Sequence, residues 1–278
     1  MSCPPPYKRY LPLAVVAISF LVLYHHVITK LIHDWSIDGN YSHGFLVPFI
    51  SGYLIWQKRE RLAEIELKPA DAGLVFLLLS CCFMVATYLC AELFTMRFSM
   101  ILVIWSIVVF LAGWEWVKAL FLPVAYLMFM IPLPAIIWNK IAFPLKLFAT
   151  HIAVQVIQLL GITVYGEGNI IHLSNTTLEV VDACSGLRSL TSLLALSAAF
   201  ALISTHTVPR KMILFLSAVP IAIATNIFRL SFTAVLASRY GGRVAQGFLH
   251  EASGMVVFFL ALIILFFLNM LLKKSPKS

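Results

Sequence analysis

Long runs of apolar residues with almost no charge constrain the fold of this chain more than any other feature. The stretches Leu11–Val27, Ala72–Cys90 and Met255–Leu272 each have about the length that crosses a bilayer as a helix. Only 12% of the 278 residues are charged, whereas soluble domains have about a quarter. The sequence therefore predicts an all-α integral membrane protein that forms a single polytopic domain over residues 1–278.

The apolar segments and the polar turns between them predict about eight transmembrane helices. Their expected limits lie near residues 10–31, 44–57, 72–90, 98–113, 118–131, 187–204, 212–236 and 250–272. With the N-terminus inside, 12 of the 20 Lys and Arg residues fall on the inner side. Because the cytoplasmic loops of membrane proteins are enriched in these residues, both termini are predicted to be cytoplasmic. The membrane thus explains the net charge of +8, and no nucleic-acid partner is expected.

Residues 135–160 have a different, amphipathic pattern. Lys140, His151, Gln155 and Gln158 recur at spacings that place them along one side of a helix. A polar stripe of this kind favours a helix that lies in the outer interface of the membrane. A ninth, tilted span over the same residues is the alternative.

Residues 161–183 change to a β-rich pattern that turn residues interrupt. Ile162–Tyr165, Ile170–Leu173 and Thr177–Val181 are rich in branched side chains, and Gly, Asn and Ser separate them. This pattern predicts a short extracytoplasmic β-hairpin or meander. It leads directly to Cys184, just before the sixth expected span.

Cys184, Arg229 and His250 are predicted to reach one depth, at the outer side of the membrane. Cys184 lies 3 residues before the sixth span, and His250 opens the last one. Arg229 lies 17 residues after the inner start of its helix, which corresponds to about 25 Å of rise. A thiol, an imidazole and a guanidinium at one level favour a nucleophilic enzyme.

These residue types suit acyl transfer by a cysteine. A helix N-terminus and a nearby cation, Arg188 or Arg229, lower the pKa of a thiol. A neutral His can accept the thiol proton, and an Arg can stabilise the oxyanion of a tetrahedral intermediate. Gly186 allows one backbone to approach another closely. Asn226 lies one turn before Arg229 and is expected to position its guanidinium.

Simpler explanations exist for some of these residues. Taken singly, Cys184 is explained as a small packing residue and His250 as an interfacial residue. Arg229 is different, because an Arg within a span costs several kcal/mol and normally has a partner or a function. No metal or cofactor is predicted, since the 5 cysteines form no CxxC pair and the polar residues of the first outer loop match no metal motif.

Several short motifs together resemble the exosortase/archaeosortase family, and its bacterial exosortase branch in particular. In chain order they are Tyr41–Pro48, Ile131–Pro134, Ala183–Arg188, Asn226–Arg229, and His250 followed by Gly254. The resemblance covers roughly residues 35 to 260. It implies that Cys184 is the nucleophile and that Arg229 and His250 complete the catalytic site. The motifs add, as substrate-binding or supporting residues, Ser185, Gly186, Arg188, Asn226 and His43.

The resemblance also implies a substrate and a location. The protein would be a protease or transpeptidase of a bacterial inner membrane with its site on the periplasmic side, often in strains that make exopolysaccharide. Its substrates would be secreted proteins that end in a PEP-CTERM-like signal: a Pro-Glu-Pro-like motif, a spanning helix and a basic tail. The residues alone leave two alternatives open. One is a transporter that uses Arg229 as an anion site, and the other is an acyltransferase that uses Cys184 as an acyl carrier.

Overall fold

The computed structural model describes residues 6–180, 187–241 and 248–273. This part of the chain is mostly helical with one small antiparallel sheet, as the sequence predicts. The helices are α1 (Pro6–Ile37), α2 (Leu46–Gln57), α3 (Arg59–Glu64), α4 (Ala72–Leu89), α5 (Leu93–Ala112), α6 (Trp114–Tyr126), α7 (Ala135–Leu159), α8 (Leu187–Ile203), α9 (Val208–Tyr240) and α10 (Phe248–Leu272). Two 3₁₀ helices, Gly39–Phe45 and Leu127–Met130, precede α2 and follow α6.

Among the described residues, six helices are long and apolar enough to cross a bilayer. They are α1, α4, α5, α7, α9 and α10. The chain is therefore a multi-pass membrane protein. The predicted spans 44–57, 118–131 and 187–204 correspond to α2, α6 and α8, which have 12, 13 and 17 residues. Because a full span needs about 20 residues, the predicted number of eight spans is not confirmed.

Residues 135–159 form one continuous helix, α7, which is among the six candidate spans. The predicted polar stripe of Lys140, His151, Gln155 and Gln158 is exposed along it. The opposite side is buried and carries small or branched residues, among them Ala149, Ala153 and Ile157. The amphipathic pattern is thus confirmed. The interfacial position is not, because length and composition also allow α7 to span.

The chain divides into two compact units. The first comprises Met1–Phe45 and Gln57–Ile131, and the second comprises Leu46–Trp56 and Pro132–Ser278. The sequence predicts a single polytopic domain over residues 1–278, and this remains a prediction.

In the first unit, α1 ends at Ile37, six residues beyond the limit of 31 predicted from the sequence. The added turn is held by polar contacts to other elements of the unit. The guanidinium of Arg97 in α5 forms an ion pair with the Asp34 carboxylate. The indole N–H of Trp35 donates to the Met130 carbonyl at 2.8 Å. These contacts extend the helix into a segment that hydropathy alone assigns to a loop.

α4 and α5 form a closely packed helix pair in the same unit. A Cβ added at Gly73 of α4 would lie 2.3 Å from the backbone nitrogen of Phe110 in α5, so only glycine fits there. Further along the pair, the hydroxyl groups of Ser80 and Ser106 form a hydrogen bond of 3.1 Å. Small residues and hydroxyl pairs are common where transmembrane helices approach each other.

In the second unit, a three-stranded antiparallel sheet follows α7, in the order β1 (Val164–Glu167), β2 (Ile170–Leu173) and β3 (Thr177–Glu179). The predicted hairpin or meander is therefore a meander. Residues on one face of the sheet pack with α7 and the end of α9 in a shared apolar cluster; they include Val164, Ile171 and Leu173. Asn175, in the turn before β3, donates its side-chain amide to the carbonyls of Ala237 and Ser238, at 3.2 and 2.9 Å.

Candidate active site

α9 connects two apolar clusters of the second unit through a buried polar stretch. Its first half, including Leu214, Ala218 and Ala222, packs in one cluster with residues of α8 and α10. Its last part, from Leu230 to Ala237, packs in the cluster that holds the sheet. Four buried polar residues lie at the junction: Thr225, Asn226, Arg229 and Ser231. Such groups are costly in a transmembrane helix, and their concentration here marks a candidate site.

Arg229 points toward the backbone of α10. Its side chain is 9% exposed. A methyl group added at Gly254 would lie 3.7 Å from Nη1 and 3.8 Å from Cζ of the guanidinium. The glycine therefore lies directly against the charged group, and a larger residue there would displace it. This contact joins α9 and α10 at the level of the predicted catalytic residues.

His250 occupies the first turn of α10, four residues before Gly254. Residues four apart lie on the same face of an α-helix, so positions 250 and 254 share the face that meets Arg229. The side chain of His250 lies outside the part of the chain that is described. The backbone register is thus compatible with the predicted pairing of Arg229 and His250, which remains a prediction.

Asn226 is the most unusual buried residue of this stretch. It lies one turn before Arg229 and is 2% exposed. Neither its amide nitrogen nor its amide oxygen has a hydrogen-bond partner within the described residues. The predicted positioning of the guanidinium by Asn226 thus does not involve a hydrogen bond between described groups, and it stays a prediction. Because a buried unsatisfied polar group costs about 1–3 kcal/mol, these atoms are suited to bind a group supplied by a ligand.

The predicted nucleophile lies between the sheet and α8. Cys184, Ser185 and Gly186 lie outside the described residues. On one side of them, Val180 is 1% exposed and packs in the same cluster as Leu230, the residue that follows Arg229. On the other side, the described part of α8 runs from Leu187 to Ile203. The predicted position of Cys184 at the N-terminus of this helix, where the dipole would favour the thiolate, stays a prediction.

Arg188 lies in the first turn of α8, and its side chain is also outside the described part. The other predicted supporting residue, His43, belongs to the first unit. Its Nε2 lies 3.1 Å from the Phe129 carbonyl. Burial lowers the pKa of His43 below its usual value, and backbone hydrogen bonds oppose this shift. A role for His43 in a site stays a prediction.

No group of three or more His, Cys, Asp or Glu side chains forms a possible metal site in the described ranges.

Two features of the second unit were not predicted from the sequence. One is the contact of Gly254 with Arg229, although the glycine belongs to a noted motif. The other is the burial of Ser231, whose hydroxyl has no partner among the described residues. The sequence signal for Ser231 is that it is a polar residue two positions after Arg229 in an apolar segment.

Comparison with protein-family models gives one match to this chain. A model described as transmembrane exosortase matches residues 35–267, which is most of the sequence. The chain belongs to the transmembrane exosortase family. Membership implies a membrane-embedded, cysteine-protease-like transpeptidase that acts on the sorting signals of secreted proteins. No curated protein and no solved structure matches the chain.

Proposed function

We propose that this exosortase cleaves the C-terminal sorting signals of secreted proteins with Cys184 as its nucleophile and with Arg229 and His250 as catalytic partners. The observation that supports this proposal best is the surroundings of Arg229. A buried guanidinium lies against Gly254, on the helix face that also carries position 250, and it follows the unpartnered amide of Asn226. A charge and an unsatisfied amide are suited to a carbonyl that becomes an oxyanion.

The chemistry follows from the three side chains. His250 takes the proton of Cys184, and the thiolate attacks the scissile carbonyl carbon to form a C–S bond. The carbonyl electron pair moves to oxygen, where the guanidinium of Arg229 stabilises it. When the C–N bond breaks, the leaving amine takes the proton from His250. The upstream protein remains as a thioester on Cys184 until water or an amine attacks its carbonyl, and the thiol is then restored.

The proposed substrates carry a Pro-Glu-Pro-like motif, one spanning helix and a short basic tail at the C-terminus. A helix with this tail inserts with its basic end in the cytoplasm, by the same charge rule that places both termini of the enzyme there. The motif then lies at the outer surface of a bacterial inner membrane. The active site, on the periplasmic side, would meet the motif at that surface.

The test is covalent trapping of the thioester. A secreted reporter protein with this tripartite signal is produced together with the enzyme, and the membranes are quenched in acid. The enzyme should carry a hydroxylamine-sensitive adduct of the reporter, and mass spectrometry should locate it at Cys184. Cys184→Ser should insert normally and abolish both the adduct and the cleavage, because a hydroxyl is far less acidic than a thiol. Cleavage at the wild-type rate in this variant would exclude the covalent mechanism.

A further inference from the structure

The β-meander has one covered face and one exposed face. Val164, Ile171, Leu173 and the partly buried Leu178 face the apolar cluster with α7 and α9. The other face carries Tyr165, Glu167 and His172, with Thr177 and Glu179 beside them on β3. On that face Tyr165 stacks on His172 at a ring distance of 5.9 Å. The sheet is thus a fixed platform that is anchored to the helices on one side.

The two edges of the sheet differ. Along an antiparallel strand, successive residues point their backbone N–H and C=O groups alternately toward and away from the neighbouring strand. Two hydrogen bonds fix this alternation in β3: the Leu173 N–H donates to the Thr176 carbonyl, and the Val180 N–H donates to the Asn169 carbonyl. It follows that the backbone N–H and C=O groups of Thr177 and Glu179 point away from β2. No hydrogen bond to these outward groups occurs in the part of the chain that the structure describes. Both residues are exposed.

The edge of β1, unlike that of β3, is contacted by a helix. Its outward carbonyl at Val164 accepts a hydrogen bond from the Gln158 side chain of α7, at 3.3 Å. A Cβ added at Gly166, on the covered face of the sheet, would lie 2.9 Å from a methyl group of Val154 in α7. α7 thus packs on the face of β1 and bonds to an outward carbonyl of its edge, whereas the described residues form no bond to the outward donors and acceptors of β3. Exposed edges of this kind are templates for an added strand.

We propose that the edge of β3 binds an extended segment of the substrate, beside the scissile bond, as a fourth strand. This inference rests on the proposed function. The substrate is the expected occupant because β3 leads to the proposed nucleophile: Cys184 is the fifth residue after Glu179. Five residues span at most about 18 Å. A polypeptide paired with Thr177 and Glu179 is thereby held within a few residues of the nucleophile.

The position of Val180 strengthens this argument. It directly follows β3, is 1% exposed, and packs in the same cluster as Leu230, next to Arg229. Its carbonyl also accepts a hydrogen bond from the Asn169 side chain at 3.3 Å. The end of β3 is thus fixed in the apolar cluster to which the last part of α9 also belongs. Pairing with a preformed edge orients the main chain of the substrate and gives little specificity for its side chains.

The first test uses variants that remove an outward N–H. Glu179→Pro and Thr177→Pro leave the bonds to β2 in place, since proline is tolerated where an edge-strand N–H faces solvent. Each should insert normally and lower kcat/KM for the tripartite reporter about tenfold, roughly the value of one lost hydrogen bond. Glu179→Ala, which removes the carboxylate but keeps the N–H, should lose much less. Tyr165→Ala, on the exposed face of β1, should leave the rate unchanged. Wild-type rates in both proline variants would overturn the proposal.

The second test needs no change in the enzyme. Single prolines are placed at successive positions of the reporter around its cleavage motif, and the cleavage rate of each is measured with the wild-type protein. Strand pairing predicts a loss at every second position, because alternate residues of a strand point their N–H toward the partner. Losses without this alternation would exclude β3 as the template. Failure of the proposed function is distinguishable, because the parent reporter would then be cleaved equally by the Cys184→Ser variant.

Discussion

Two arginines are buried in the described part of this protein, one in each unit, and their surroundings differ. Arg97 is 3% exposed in α5 and forms an ion pair with Asp34 of α1. Arg229 is 9% exposed in α9 and lies against Gly254 of α10, one turn after the unpartnered amide of Asn226. The neighbour of Arg97 is a carboxylate, whereas Arg229 lies against the backbone of a glycine.

This difference separates two uses of a buried charge. A guanidinium next to a carboxylate joins two helices, and the pair is nearly neutral as a whole. Near Arg229 the buried amide of Asn226, one turn earlier in the helix, has unused hydrogen-bonding capacity for a further polar group. Burial of an arginine in a membrane helix therefore does not identify a catalytic site by itself. The groups around the arginine decide between a structural and a catalytic role.

The largest expected effect is that of Arg229→Lys. The variant should accumulate normally but acylate Cys184 about 10²–10³ times more slowly, as when one oxyanion donor is removed. Lysine keeps the charge and loses the planar fork that directs the hydrogen bonds. The measurement is single-turnover formation of the reporter thioester. Reaction of Cys184 with a small thiol reagent is the control and should change little. Wild-type acylation in this variant would assign Arg229 to structure, like Arg97.

Arg97→Leu should lower the stability of the protein and leave the cleavage rate unchanged, the opposite of what is expected for Arg229→Lys. Loss of the guanidinium leaves the Asp34 carboxylate, which is 30% exposed, in a partly buried position without its ion-pair partner. We expect a loss of about 1–3 kcal/mol in stability, less than for a fully buried pair because solvent reaches the carboxylate. Thermal unfolding in detergent measures this loss, and Asp34→Asn in the same background should restore part of it. Cleavage per folded molecule should stay at the wild-type level, and a large drop would remove the distinction between the two arginines.

Asn226→Leu should separate stability from activity. The change replaces an unsatisfied amide with an apolar side chain of similar size, so the protein should become up to about 1 kcal/mol more stable. Cleavage should nevertheless slow about tenfold, if the amide binds the substrate through one hydrogen bond. The two readouts are the unfolding temperature and kcat/KM for the reporter. A faster or unchanged reaction would show that Asn226 makes no contact with the substrate.

Gly254→Ala should have the smallest effect. Its methyl group would lie in ordinary contact with the guanidinium, at 3.7 and 3.8 Å. We expect less than about a threefold change in cleavage, because a displacement has to approach 1 Å before the rate falls steeply. Gly254→Leu is the matched variant, since its longer side chain cannot avoid Arg229, and it should lose at least about tenfold. Equal rates in both variants would mean that the glycine does not control the position of the arginine.

The sequence predicted the helical membrane class, a small hairpin or meander and the polar stripe of α7, because periodicity and turn residues are local signals. It did not predict the limits of α1. Asp34 looks like a loop residue in a hydropathy pattern, but in the structure it lies in α1 and pairs with Arg97, 63 positions away. Long-range pairing of this kind leaves no local trace.

The candidate site was predicted in part. Arg229 was identified because an arginine within an apolar span is costly, and its burial confirms the premise. The positioning of Arg229 by Asn226 stays a prediction, since spacing along a helix places two side chains on one face without fixing their hydrogen bonds, and the described residues offer the Asn226 amide none. The sequence also did not predict that the edge of β3 is exposed. Which strand edge is covered depends on how α7 packs, and the strand sequence does not contain that information.

The two hydrogen bonds from Asn175 to the last turn of α9 have a mechanical consequence. They connect the turn before β3 to a helix that runs unbroken from Ala237 back to Arg229, a length of about 12 Å. A secreted protein that is drawn away from the membrane would exert tension on any strand docked at β3. Through Asn175 that load would reach the stiff helix, and Arg229 would move together with the docked strand.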